Sequence, residues 1–198
     1  MAYLRPSFFA VLLATAVPAF AQQGSTCAAP LAFAAHAGLT LTVESRSGEI
    51  VLAGSDQEGI RVTCTLPDPK RAADVHVHFE QTGDFSQLHI SGGPDNNFRV
   101  RIEVPRQTNL RLQVPAGEVR VEEISGNKDI SVKAGDIQIS GVSEAEYRSV
   151  HASVGIGALS ASSFGVGKGG FFRSLDRDAL AGRYRLRVHL MTGNINLN

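Results

Sequence analysis

Few residues in this chain have types and spacings that suggest chemistry, and each such set has a structural use that competes with it. His76 and His78 fall on one face of an alternating segment and His89 lies in the next, an arrangement that would suit zinc or copper. Three solvated histidines on an outer face is the competing reading. Glu118, Asp129 and Asp136 would stack along an edge as carboxylates for polysaccharide cleavage or as calcium ligands; otherwise each stabilises its own turn. Gly165, Gly167 and Gly170 spell G-x-G-x-x-G, but Phe171, Phe172 and Arg173 follow instead of a helix within a βαβ unit. Gly167 and Lys168 lack the Ser or Thr and the upstream Gly of a phosphate loop, so the string reads as a loop. No Ser/His/Asp order and no Cys/His pair stands out. We therefore assign no catalytic residue, no cofactor and no metal.

Cationic side chains offer a different chemistry. Arg183, Arg185 and Arg187 alternate with Tyr184, Leu186 and Val188, so in a strand they project to one side. Arg99, Arg101 and Arg111 would extend that row if their strands adjoined it. Such a face would take a phosphate-rich polymer; a solvated charged surface is the alternative.

The elements that must position these residues are short strands. Two copies of one unit lie 18 residues apart: Ala116, Gly117, Glu118, Val119, Arg120, Val121, and Ala134, Gly135, Asp136, Ile137, Gln138, Ile139. Further copies open at Ser47, Gly48, Glu49 and at Thr192, Gly193, Asn194. Each reads as a tight turn that launches a strand, because Gly accepts a positive φ and the polar residue after it bonds the turn backbone. Four copies imply a repetitive β architecture that turns about every nine residues. In it Ile137 and Ile139 face inward and Gln138 outward. Alternation continues through Leu39, Leu41 and Val43, through Ile60, Val62 and Cys64, and through Val75, Val77 and Phe79 with Leu88 and Ile90 as a hairpin. It resumes at Val100, Ile102 and Val104 and closes at Tyr184, Leu186, Val188 and Leu190. Residues 92–97 form a polar loop, residues 150–159 a Gly- and Ala-rich strand pair, and residues 143–147 the one helix-like fragment.

Composition sets the class. The 198 residues are 43% hydrophobic with 19 basic and 19 acidic side chains, which suits one globular domain and excludes an electrostatic attraction to nucleic acid. Residues 1–21 read as a signal peptide, with Arg5 as the positive region, residues 8–17 as the apolar core and Ala19, Phe20, Ala21 as the cleavage site. The apolar run is too short to span a bilayer, so the mature chain has no transmembrane segment in this reading. Export makes a Cys27–Cys64 disulfide the expectation, closing a loop of about 37 residues worth about 3 to 4 kcal/mol. A lipidated Cys27, or two buried thiols, are the other readings. Residues 22–38 form a lead-in without clear period, and residues 39–198 the β domain.

Across residues 39–197 the chain resembles bacterial adhesin-like domains of unknown function, a family of exported, repeat-rich β proteins. The likeness rests on Ile102, Glu103, Val104, Pro105, then Thr108 and Leu110, then Gly-Glu-Val and Ser-Gly-Asn repeats, then Val150, His151, Ala152 and a closing Gly193, Asn194, Ile195. Asn194 stands where Asp is usual. The resemblance implies a solenoid or two-sheet stack and brings no catalytic residue with it. The expectation is an all-β, exported, non-enzymatic, solenoid-like domain, with a two-sheet sandwich as the fold alternative. Its place is periplasmic or secreted, and its partner an envelope polymer, glycan or protein. A glycan-active envelope enzyme and an anion- or metal-binding protein are the functional alternatives.

Overall fold

Alternation of aliphatic and polar residues places most of the chain in strands. The computed structural model describes residues 22–94, 97–178 and 181–198. The expected signal peptide, residues 1–21, lies outside them, as do Asp95 and Asn96 of the polar loop. Thirteen strands follow in order: β1 (Gln22–Thr26), β2 (Leu31–Phe33), β3 (Thr40–Ser45), β4 (Glu49–Ser55), β5 (Ile60–Thr65), β6 (Val75–Thr82), β7 (Phe85–Gly92), β8 (Arg99–Pro105), β9 (Asn109–Glu122), β10 (Lys128–Ser140), β11 (Tyr147–Ala161), β12 (Val166–Arg177) and β13 (Tyr184–Leu197). Short 3-10 turns at Pro69–Asp74, Glu144–Glu146 and Ser162–Phe164 complete the described elements. The fold is all-β.

Strand order runs β1-β6-β7-β3-β9-β10-β13-β11-β12, with a second branch in which β9 joins β4, β4 joins β8, β8 joins β5 and β5 joins β2. The branch arises because β9 is long and bent. Its first part pairs with β3 and its last part with β4, both in parallel. Strands β10, β13 and β11 repeat that path in parallel register beside it. The C-terminal strand β13 enters between β10 and β11, so order in the chain is not order in the sheet.

Register aligns the inward residues into rows. Val43, Leu112, Ile130, Val188 and Ala152 form one before the bend; Ile50, Val119, Ile137, Ile195 and Leu159 form another after it. All ten are buried. Phe33 of β2 stacks on Phe79 of β6 with ring centroids 4.5 Å apart, which joins the two branches through the core. The disulfide Cys27–Cys64 ties the segment after β1 to β5, with Cα atoms 5.7 Å apart.

At the bend the glycines of the four sequence copies stand side by side. Gly117 pairs with Gly135 and Gly135 with Gly193, while the Cβ position of Gly117 points at the Gly48 carbonyl. Gly135 has φ +138°, and a Cβ there would meet the Gly117 oxygen at 1.8 Å. Only glycine lets successive backbones approach this closely. Gly157 is a fifth member, paired with Gly193.

Several sequence expectations change. Gly117, Gly135 and Gly193 bend continuous strands instead of ending them, so those strands are longer than nine residues, whereas Gly48 stands between β3 and β4 and opens β4 as the turn reading expects. Residues 150–159 belong to one strand, β11, because parallel pairing with β13 covers both halves. The glycine string at 165–170 is mostly strand β12, held antiparallel to β11, and not a loop. Residues 22–38 contain β1 and β2, which pair with β6 and β5.

Candidate functional site

Parallel register also lines up the outward side chains. Thr42, Arg111, Asp129, Arg187, His151 and Asp176 form one row across β3, β9, β10, β13, β11 and β12. Adjacent strands lie about 4.8 Å apart, so Arg111 and Arg187 flank Asp129 at a mutual spacing of about 10 Å. Arg187 Nη1 is 3.9 Å from Asp129 Oδ2. Arg185 stands one outward step earlier on β13. Arg111, Asp129, Arg187, His151 and Arg185, together with Arg148 and Asp178, line a shallow depression of about 580 Å³. Among the described residues, Arg111, Arg148 and Arg185 have no ion-pair partner, so guanidinium charge outweighs the carboxylates of the depression.

The frame that holds these groups is built from polar side chains at the strand entrances. Asn109 Oδ1 accepts from the backbone N–H of Asn127 at 3.0 Å and from its Nδ2 at 2.8 Å, and Asn127 Oδ1 accepts from the Arg185 backbone N–H at 2.9 Å. Each amide fixes the next strand, which sets the register of the arginines. His151 lies at the far side, Nδ1 3.0 Å from Asp176 and Nε2 3.1 Å from Asp178. The Asp176 hydrogen bond, above the opposing loss of solvation, holds its pKa above the ordinary 6.5.

One functional candidate escaped the sequence reading. Lys128 sits in an inward row between Leu110 and Leu186 and is 3% exposed. Its Nζ donates to the Tyr147 hydroxyl, and the residue is one of those lining the depression. Burial pushes its pKa down to about 8, while Glu146 opposes that fall. The available signal was parity, since Lys128, Ile130 and Val132 share one face.

The remaining sequence candidates separate. Arg183 folds onto Tyr184, its guanidinium 4.8 Å from the ring centroid, and does not continue the outward pair Arg185 and Arg187. Arg99 and Arg101 do not extend the row either. They lie on β8 in the second branch, where Arg99 bonds Glu49 at 2.6 Å and Arg101 lies 3.3 Å from Glu103. His78 and His89 are cross-strand partners, but His78 pairs with Glu80 at 2.9 Å and His89 with Glu44 at 3.4 Å. Among the described residues no group of three or more His, Cys, Asp or Glu is arranged to hold a metal.

Glu118 and Asp136 are neighbours in the bend, whereas Asp129 lies on the outer row. Asp136 Oδ1 accepts from the Asn194 backbone N–H at 2.8 Å, and Glu118 accepts from Arg120 at 2.7 Å. A second depression of about 660 Å³ holds Glu49, Glu118 and Arg99. Its carboxylates are engaged by Arg99 and Arg120, which is the arrangement of an ion-pair network along the strands.

No family model and no curated protein matches the chain. A "putative cell adhesion protein" from Clostridium sporogenes has a similar solved structure, with 15% identity, a TM-score of 0.53, and coverage of 85% of this chain and 98% of that one. A "putative adhesin" from Bacteroides fragilis aligns at 11% identity and a TM-score of 0.36, covering 86% of this chain and 96% of that one. The first likeness places this chain in the same fold. Among the described residues no helix is long and apolar enough to cross a membrane.

Proposed function

We propose that this chain is an exported, non-catalytic, adhesin-like module that binds an anionic envelope polymer through the basic depression of β9, β10, β13 and β11. One observation carries the reading: parallel register delivers Arg111, Arg187 and His151 into one outward row, with Arg185 beside it. Guanidinium groups about 10 Å apart on a rigid sheet suit repeated phosphate, sulfate or carboxylate groups, which each fork can bind through two N–H donors. The architecture in this proposal is a solenoid-like stack of bent rungs, preceded by a signal peptide at residues 1–21. The Cys27–Cys64 bond supports an oxidising destination. The fold shared with the Clostridium sporogenes protein supports an adhesin-like role.

The test is salt-dependent retention on heparin and lipopolysaccharide columns, comparing wild type with the triple variant Arg111→Ser, Arg185→Ser, Arg187→Ser. The wild type elutes at higher salt. Equal elution of the two proteins would overturn the assignment. These side chains are exposed, so each substitution should change the unfolding free energy by no more than the usual surface range of about 0.5 kcal/mol.

A further inference from the structure

The outer side of the bend carries an apolar ridge that the basic depression does not use. Register brings exposed Ala134 of β10 beside Thr192 of β13, Thr192 beside Ile156 of β11, and Ile156 beside Phe171 of β12, with Met191 and Phe172 adjoining. Met191 is 54%, Ile156 50%, Phe171 67% and Phe172 87% exposed. Consecutive residues of an extended strand face opposite sides, so one of two neighbouring phenylalanines should point inward. Phe172 avoids this by adopting φ +50°, an unusual conformation for a residue with a side chain, and both rings remain outside. A strained residue that keeps two phenyl rings in water marks a place of contact.

The backbone edge of β12 is an unsuitable contact. Arg173 lies along it with Nε donating to the Gly169 carbonyl at 2.8 Å, and a charged side chain folded on a terminal strand blocks pairing with another strand. The ridge therefore meets its partner through side chains. Charge narrows that partner. Lys133 stands in the ridge next to Ala134, and Arg187 reaches the same outward face two outward steps before Met191, roughly 13 Å away along β13. Between them, from β9 to β12, lie Gln113, Ser131, His189, Ser153 and Ser174, without a carboxylate. An apolar crest with cations beside it and no acid between is complementary to an anionic lipid surface.

We propose that this ridge docks on an anionic lipid bilayer, with Phe171 and Phe172 entering the headgroup–acyl boundary and Lys133 and Arg187 meeting lipid phosphates. This goes beyond polymer binding: it shares Arg187 with the basic depression but depends on Phe171 and Phe172, which polymer binding does not use. The test is co-sedimentation of the chain with phosphatidylcholine vesicles, with and without phosphatidylglycerol, for wild type and for Phe171→Ser with Phe172→Ser. The wild type sediments with the anionic vesicles, and the double variant partitions at least about tenfold more weakly while its heparin retention is unchanged. The chain has no tryptophan, so Phe172→Trp supplies a single reporter whose emission shifts to the blue on adding anionic vesicles. Absence of wild-type sedimentation, equal sedimentation of the double variant, or an unshifted emission from the Phe172→Trp reporter would each overturn the proposal. If the arginine triple variant alone loses vesicle binding, the ridge is rejected and polymer binding stands.

Discussion

Lys128 shows how one side chain can tie stability to pH. Its neighbours in the row are Leu110 and Leu186, and the Tyr147 hydroxyl oxygen accepts a hydrogen bond from its Nζ. Because burial lowers its pKa from 10.5 to about 8, the unfolded chain binds the proton more tightly than the folded one between those values. Below about pH 8 both states are protonated and the folded state bears the full penalty; stability then rises with pH across the window. The shift corresponds to on the order of 3 kcal/mol. Urea unfolding from pH 7.5 to 10 should show the rise, and Lys128→Met should abolish it. The series stops there because Tyr147, raised by burial from 10.0, acts in the opposite direction above that pH. His151 has the other sign: its raised pKa favours folding below 6.5, a contribution lost as pH rises through the folded value. Its partial exposure keeps that contribution small. An NMR titration should place its midpoint above 6.5, and Asp176→Asn should lower it.

At the scale of the element, the bend depends on glycine and the faces depend on parity. Gly135→Ala places a Cβ 1.8 Å from the Gly117 carbonyl at φ +138°, and the expected loss is on the order of 3 kcal/mol. Gly167→Ala, on β12 with open space around the new methyl, should be neutral or slightly stabilising. Ile137→Asp buries a carboxylate among aliphatic side chains and should cost roughly 3 to 5 kcal/mol, while exposed Gln138→Asp should cost under about 1 kcal/mol. Thermal unfolding of the four variants decides both points. Faces such as these were legible in the sequence, because Ile137, Gln138 and Ile139 differ in polarity with period two. The bends were legible as glycines but not as bends: a turn that ends a strand and a kink that continues it use the same residue. Gly157 went unrecognised because Ala158 replaces the polar residue that marks the other copies. The site was half legible. Arg185 and Arg187 announce one face, but their meeting with Arg111 depends on β13 entering between β10 and β11, a long-range pairing that local pattern does not encode. Arg183 departs because it precedes the first residue of β13, and its guanidinium lies over the Tyr184 ring.

Taken as a whole, the molecule is fastened at one end and open to contacts at the other. The Cys27–Cys64 bond holds β5 to the segment after β1, while β12 at the opposite end of the sheet carries the phenylalanines. Replacing both cysteines by serine should cost about 2 to 5 kcal/mol, and hydrogen exchange should rise first in β1, β2 and β5. Between those ends lies the basic depression, where parallel strands hold cations at fixed spacing. Cations at this spacing should bind anionic polymer through direct ion contacts, which release counterions and so depend steeply on salt. The most direct measurement is the affinity for a fluorescent heparin oligosaccharide across a range of NaCl concentrations, for wild type and for the Arg111, Arg185, Arg187 triple serine variant. The variant should bind more weakly, with a flatter dependence of log Kd on log salt. Identical affinity and identical slope in the two proteins would rule this mode of binding out.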